Sequence, residues 1–345
     1  MAGAKTDTQA SNRQLTTLLL RLPLEMRLEI YSRLFLSTRV TSGVLGNHSI
    51  APAPNALALL RTCHQIYADI GPTWLEQVLF DFVSAEAMLD KLDNIPTKTR
   101  ALIRHVRVSG AALVLPRPDG NIYYPTLYHT FQVLKLLPGL ALDRLTVLGN
   151  RDSMACYEAL DLMILHGNGW KELHYLVRDS TFLAYRHNWF SVTGGADAHR
   201  FLRRPQPADW QQTMNERDGS ASNASVAIYR ATSGEACSVL LQPATRAPFA
   251  QHWPVDRATF GKEEDTALMA PGEREKEMLV VVTRGRGVKY AEKEGSPYFP
   301  GGDLREWVGE KTWTQIRSEG KEEPGLSLYS GVPVDKYTHV DEYVW

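Results

Sequence analysis

The stretch Val78-Leu79-Phe80-Asp81-Phe82 decides how this sequence is predicted to fold. It is dense in branched and aromatic residues, which favour a β-strand. Strands joined through ten or more residues that contain a helix pair in parallel, with a right-handed crossover. Such alternation predicts an α/β fold built on a small, open and mostly parallel sheet that helices cover. Three further strands, each following a predicted helix, are expected at residues 105–108, 145–148 and 173–177.

The connecting helices are predicted from their caps and apolar spacing. Ser84 caps a helix that stops before Pro96, a second lies around residues 97–103, and a third runs over about residues 124–137. Ser153 opens another, and its buried face is expected to include Tyr157, Leu160, Ile164 and Leu165. The alternating strands and helices resemble two or three irregular leucine-rich-type units. The spacing between their strands is too uneven for a regular solenoid. An α+β arrangement is the alternative.

The carboxy-terminal half is predicted to be mixed in structure. A polar stretch is expected to connect the regions, with one short helix near residues 210–215, and Asp303 is expected to cap a helix through Trp307. Strands are predicted at residues 226–230, 239–241 and 278–283. The predicted segments are a disordered tail 1–19, a helical module 20–82, an α/β region 83–190, a connector 191–222, a mixed α/β region 223–315 and a loosely ordered tail 316–345.

Composition excludes several classes of protein. The 345 residues carry 38 Lys and Arg against 39 Asp and Glu, so no overall positive field attracts nucleic acid. The longest apolar runs fall far short of the roughly 20 residues that a membrane helix needs. Three widely spaced cysteines form neither a disulfide framework nor a zinc site, which favours a reducing compartment, cytoplasmic or nuclear. We expect no nucleic-acid partner and no membrane.

No motif for catalysis, metal or cofactor binding stands out. The chain has no G-x-S-x-G elbow and no H-E-x-x-H pair, and Cys63 is expected to be a small buried hydrophobe. Gly285-Arg286-Gly287 is interpreted as a hairpin turn after a strand, with a phosphate-binding loop as the less favoured alternative. We therefore expect no catalytic residue, no cofactor and no metal.

The amino-terminal region begins with a helix that is unusually apolar for its length. Leu22-Pro23-Leu24-Glu25 suits a helix start, and the helix is expected to run to about Leu36. A broad stripe indicates that some apolar residues face a partner, although all of them could also pack inward. That stripe consists of Leu24, Leu28, Tyr31 and Phe35, widened by Ile30 and Leu34; the opposite side carries Arg27, Glu29, Ser32 and Arg33.

Residues 22–34, the helix containing Leu59-Leu60-Arg61-Thr62-Cys63 through Tyr67, and the strand Phe80-Asp81-Phe82 together resemble the F-box-like family abundant in filamentous fungi. The resemblance covers about residues 20–110. It implies a three-helix module that docks on a Skp-type adaptor of a cullin-RING ubiquitin ligase, while the downstream α/β region holds an unknown target protein. The adaptor-binding residues that it implies are Leu22, Pro23, Leu24, Glu25, Ile30 and Leu34.

Three functions follow as expectations. The first is a non-enzymatic substrate receptor, in which other subunits supply catalysis by bringing the target close to activated ubiquitin. The second is a scaffold or interaction protein whose F-box-like segment is only structural. The third and least favoured is a cryptic enzyme, which a cleft of titratable groups with strongly shifted pKa values would indicate.

Overall fold

An eight-stranded, mostly parallel sheet organises the protein, so the predicted α/β class is confirmed. The computed structural model describes residues 18–45, 48–49, 57–115, 126–149, 153–183, 206–235, 238–241, 243–249, 270–295, 298, 303–309 and 311–320. The strands are β1 Arg39–Ser42, β2 Val44–Leu45, β3 His48–Ser49, β4 Leu79–Phe82, β5 His105–Ser109, β6 Leu113–Leu115, β7 Thr126–Tyr128, β8 Leu142–Leu148, β9 Trp170–Val177, β10 Ser225–Ala231, β11 Arg246–Pro248 and β12 Met278–Thr283.

Eleven α-helices and several 3-10 turns join the strands of the described residues. Among the latter, Ala58–Arg61 and Ser180–Leu183 matter below. The α-helices are α1 Leu24–Leu36, α2 His64–Ile70, α3 Trp74–Gln77, α4 Ala85–Leu92, α5 Thr97–Arg100, α6 Thr130–Leu134, α7 Ser153–His166, α8 Ala208–Asp218, α9 Ser238–Leu241, α10 Leu304–Val308 and α11 Trp313–Gly320.

The large sheet has the strand order β1-β4-β5-β8-β9-β12-β10-β11. Its first five strands are parallel, and β12, β10 and β11 complete it by antiparallel pairing. Strands from both predicted regions, 83–190 and 223–315, therefore join in one sheet. Two small antiparallel pairs, β2 with β3 and β6 with β7, lie outside it.

The two faces of the sheet differ in chemistry. On one face, the in-register row Phe80, Val106, Leu145 and Leu173 belongs to the main hydrophobic core, together with buried residues of α4, α6 and α7. Successive right-handed crossovers that move in one direction place their helices on the same face. The other face carries a polar row and a separate small cluster, formed by Leu176, Ala231, Val239 and Leu279.

Glycines end two neighbouring strands in the same way. The Gly110 amide donates to the Leu148 carbonyl, and the Gly149 amide donates to the Leu176 carbonyl, each at 2.7 Å. A Cβ atom on Gly149 would lie 2.8 Å from the Leu176 carbonyl oxygen and 3.0 Å from the Cys156 sulfur. The close approach of adjacent strand ends thus requires glycine at this position.

Gly149→Ala is expected to destabilise the protein by about 1–3 kcal/mol, because the added methyl group meets backbone that cannot rotate away. Urea unfolding followed by circular dichroism measures this change. The matched control is Gly234→Ala, since a Cβ there meets nothing within 4 Å. Equal stability of the two variants would contradict the close-approach argument.

Several local predictions were wrong. No strand was predicted in the Gly-, Ser- and Pro-rich stretch that follows α1, which was interpreted as a loop over residues 38–54, yet residues 39–42 form β1, the edge strand that pairs with β4. Residues 124–137 were expected to be one helix, but β7 precedes the short α6. Residues 239–241 were expected to be a strand and belong to α9. Leu165 was placed on a buried face and is 47% exposed.

The predicted second helix is broken into the 3-10 turn Ala58–Arg61 and α2. Cys63 takes the extended position just before α2 and is exposed, so its prediction as a buried hydrophobe was wrong. Cys156 is buried. Asn55, a residue type suited to cap the predicted second helix, and the third cysteine, Cys237, lie outside the described residues.

The carboxy-terminal elements pack into the same core. Helix α8 lies within the predicted connector, where Trp210 and Met214 are buried in the main cluster. The Asp303 side chain caps α10, as predicted. The chain from residue 316 was expected to be loosely ordered, yet Ile316 of α11 is fully buried. The indole of Trp313, in the same helix, donates a hydrogen bond to Asp90 of α4 at 2.8 Å. Tails 1–17 and 321–345 lie outside the described residues.

Candidate protein-interaction surface

Helix α1 exposes most of its large apolar side chains. The described residues include ten exposed large hydrophobic residues, and six of them lie between residues 18 and 34. Their exposed fractions are 60% for Leu18, 44% for Leu24, 53% for Met26, 40% for Leu28, 43% for Ile30 and 42% for Leu34. A concentration of this kind marks an interaction site, whereas single scattered apolar residues do not.

The buried side of α1 is narrow and contains a charged residue. Arg27, Tyr31 and Phe35 recur every fourth position, and all three are buried. Burial raises the pKa of the Tyr31 hydroxyl, and the nearby Asp69 carboxylate adds to this effect. Arg27 was predicted to lie on the solvent side, and that prediction was wrong. The apolar neighbours of these three residues are therefore left at the surface.

Arg27 is held in place by three polar contacts. Its Nε donates to Asp69 of α2 at 2.9 Å, and its Nη1 donates to the carbonyl oxygens of Leu22 at 2.9 Å and Leu20 at 3.2 Å. These contacts fix both α2 and the chain that precedes Pro23. Because the pair with Asp69 is only 10–13% exposed, loss of either partner would leave a largely buried charge unmatched, which favours keeping α1 against α2.

The ends of α1 follow from its sequence. Pro23 precedes the helix with an extended ψ of 149°, and Glu25 complements the positive helix start. At the other end, the Ser37 and Thr38 hydroxyls donate to the Leu34 carbonyl at 2.9 and 2.7 Å. Both ends are thus stabilised locally, so the helix does not depend on its apolar face being covered.

All six residues that the F-box resemblance implies lie together at the start and on the surface of α1. Leu22 is half-buried, Pro23 and Glu25 are exposed, and Leu24, Ile30 and Leu34 are among the exposed residues above. The alternative that every apolar residue of this helix packs inward is therefore wrong for these three.

Sequence reasoning missed part of the surface. Met26 was not singled out, although it stands four positions before Ile30 and eight before Leu34. These three residues form one line along the helix, which we call the α1 ridge. Leu28 was assigned to the stripe, yet it lies on the opposite flank of the buried line. Tyr67 of α2 is 59% exposed as well. The four-residue spacing from Met26 to Ile30 and on to Leu34 would have identified Met26 as part of this surface.

The polar row on the second sheet face consists of ion pairs. Asp81 of β4 accepts two hydrogen bonds from Arg107 of β5, at 2.7 and 2.6 Å, and Arg39 of β1 lies 3.8 Å from the same carboxylate. Both Asp81 and Arg107 are buried. Such a bidentate pair between adjacent strands is a structural element, because both charges are already matched.

Farther along the same face, Glu172 contacts His174 and lies 3.1 Å from Arg144. The hydrogen bond with His174 is the main cause that lowers the pKa of Glu172 to about 2. Burial lowers the pKa of His174, and it lowers the pKa of His105 to about 4. Among the described residues, no hydroxyl or thiol forms a hydrogen bond with His174, so the geometry of this row pairs no nucleophile with a base.

The glycine loop after β12 is engaged within the protein. Asp218 accepts hydrogen bonds from the Arg284 guanidinium and from the Gly285 amide, both at 2.8 Å. A phosphate would need that amide and that cation. The loop does turn, since the Val288 amide donates to the Gly285 carbonyl. The predicted hairpin was wrong for the described residues 284–295, because none of them forms a strand.

Among the described residues, no group of three or more His, Cys, Asp or Glu side chains is arranged to hold a metal ion. In the same part of the chain, no helix has the length and apolar character needed to cross a membrane. The surface around α1 is therefore the feature that remains for a functional interpretation.

Comparison with protein families, with curated proteins and with solved structures found no match for this chain. The functional interpretation consequently depends on the chain's own residues and geometry.

Proposed function

We propose that this protein is an F-box-like substrate receptor, in which α1 docks on a Skp-type adaptor of a cullin-RING ubiquitin ligase. The observation that carries the proposal is the exposure of Leu24, Ile30 and Leu34, each between 42% and 44%, on a helix whose position is fixed from behind by Arg27. The protein would act without catalytic residues of its own, by placing a target near activated ubiquitin.

The physical case for a partner on α1 is energetic. Each large apolar side chain that becomes fully covered contributes about 1.5–3 kcal/mol relative to full exposure, and the residues of α1 are already partly covered. Met26, Ile30 and Leu34 supply a continuous apolar line along one rigid helix, and such a line suits the usual centre of a protein interface. The α/β body would then present the target protein.

The scaffold function is the second candidate, and one observation favours it. Arg27, Tyr31 and Phe35 fasten α1 to the rest of the chain, as a purely structural cap would require. In that case the exposed apolar residues would contact a different protein or none, and adaptor recovery separates the two candidates.

Leu24→Asp combined with Ile30→Asp is expected to reduce recovery of the adaptor at least about tenfold, because two carboxylates would be desolvated at an apolar interface. Tagged full-length protein with each substitution, followed by mass spectrometry of the copurified proteins, measures the effect. Far-ultraviolet circular dichroism should not change, since both positions are exposed on a helix surface.

The matched control is Leu127→Asp combined with Leu165→Asp, because these leucines are equally exposed, at 45% and 47%, on β7 and α7. The control should recover the adaptor as the unaltered protein does. If the α1 variant recovers as much adaptor as the control, or if the unaltered protein recovers none, the receptor function is wrong.

A further inference from the structure

A groove of about 470 Å³ runs along α1 on the flank away from the α1 ridge. Residues one position after the buried line of α1, such as Leu28 and Ser32, face it; the ridge residues stand one position before that line. The groove is bounded on the other side by the end of α2 and by α3. Its lining residues are Glu25, Leu28, Glu29, Tyr31, Ser32, Phe35, Ile70, Thr73 and Gln77.

The floor of the groove is apolar, and its edges accept hydrogen bonds. Tyr31, Phe35 and Ile70 are 1–2% exposed and form the floor, while Leu28 at the edge is 40% exposed. Glu25 and Glu29 stand one turn apart on the α1 side. None of the nine lining residues is a lysine or an arginine. The charge that the groove offers a ligand is therefore negative.

One further detail favours a cationic ligand. Glu29 is paired with Arg33 at 2.8 Å, but both side chains are more than 60% exposed, and a solvated pair of this kind is readily exchanged for another cation.

We propose that this groove binds a segment of a partner protein that places an apolar side chain against Leu28 and a neighbouring lysine or arginine against Glu25 and Glu29. Leu28, which is 40% exposed at the edge of the groove, provides the apolar contact, because the floor residues are already almost fully covered. The carboxylates select the cation. This site goes beyond the proposed adaptor contact, since neither Leu24, Ile30 nor Leu34 lines the groove. One helix would thus contact two partners, or two parts of one partner.

The test uses full-length protein and two fluorescein-labelled helical peptides of about 15 residues. One is built from leucine and lysine, and the other has glutamate in place of every lysine. Fluorescence anisotropy should show binding of the lysine peptide and at least about tenfold weaker binding of the glutamate peptide, because like charges would meet at the groove. Added salt should weaken the lysine peptide's binding.

The groove variant is Leu28→Lys combined with Glu29→Lys, and it should weaken binding of the lysine peptide at least about tenfold. Its control is Leu165→Lys combined with Glu158→Lys, which makes the same exchanges at exposed positions of α7 and should bind as the unaltered protein does. Thr73→Lys adds a lysine at an exposed position on the opposite wall and should also weaken binding. It keeps the test decisive if the first variant does not fold.

The adaptor variant Leu24→Asp with Ile30→Asp should retain the lysine peptide, so failure of the adaptor proposal leaves this result unaffected. Equal binding of both peptides, or equal binding by the groove and control variants, would overturn the proposal. A dimer in sedimentation velocity that only the groove variants lose would overturn it in favour of a second copy of this chain.

Discussion

Arg107→Ala is expected to lower the free energy of unfolding by about 3–5 kcal/mol, because it leaves the buried carboxylate of Asp81 without its bidentate partner. Arg39, at 3.8 Å from the same carboxylate, compensates for part of the lost charge, which places the effect toward the lower end of that range. Urea unfolding monitored by circular dichroism gives the measurement.

The companion variant is Asp81→Leu combined with Arg107→Met. Replacing both charges by apolar side chains of similar size removes most of the desolvation cost along with the attraction, although Arg39 loses the carboxylate that it faces. This variant should therefore be more stable than Arg107→Ala. A double variant that is less stable than Arg107→Ala alone would show that the ion pair does more than neutralise a buried charge.

Trp210→Ala is the second substitution with a large expected effect, about 3–5 kcal/mol of lost stability. Trp210 is 1% exposed, and its ring centroid lies 5.6 Å from that of Tyr157 and 6.5 Å from that of Phe182. Its indole nitrogen also donates to Asp161 at 2.9 Å. The substitution would open a cavity between α7, α8 and the 3-10 turn Ser180–Leu183. A lower midpoint of urea unfolding measures the stability that is lost.

Two variants separate the parts of that effect. Trp210→Phe keeps a ring and loses the hydrogen bond, so it should cost about 1–3 kcal/mol, mostly from the acceptor left on Asp161. Gln212→Ala changes an exposed residue of the same helix and should stay within about 0.5 kcal/mol of the unaltered protein. If Trp210→Ala behaves like Gln212→Ala, α8 does not contribute to the core.

The parallel strands could be predicted because each is a short run of apolar residues between helices. Residues 145–148 and 173–177 were predicted and lie within β8 and β9. Such an apolar run is visible in the sequence whichever strands lie beside it. β1 escaped prediction because Arg39, Thr41 and Ser42 are polar, and an edge strand needs only one neighbour to complete its pairing.

The candidate surface could be predicted only in part. Helical spacing identified α1 and its apolar residues, but spacing alone predicted that Arg27 faces solvent. Arg27 turns inward because Asp69, 42 residues later, supplies its partner, and no local pattern contains that information. The groove was also beyond prediction, since its far wall of Ile70, Thr73 and Gln77 comes from helices whose packing the sequence does not state.

The contact between α11 and α4 can form only late in the chain's synthesis. Trp313 reaches Asp90 across 223 residues of sequence. At ribosomal speeds of about 5–20 residues per second, Asp90 is made about 11–45 s before its indole partner. The parallel half of the sheet therefore emerges while one side of α4 still lacks its final neighbour, and nascent chains stalled before residue 313 should leave that side open to proteases and chaperones.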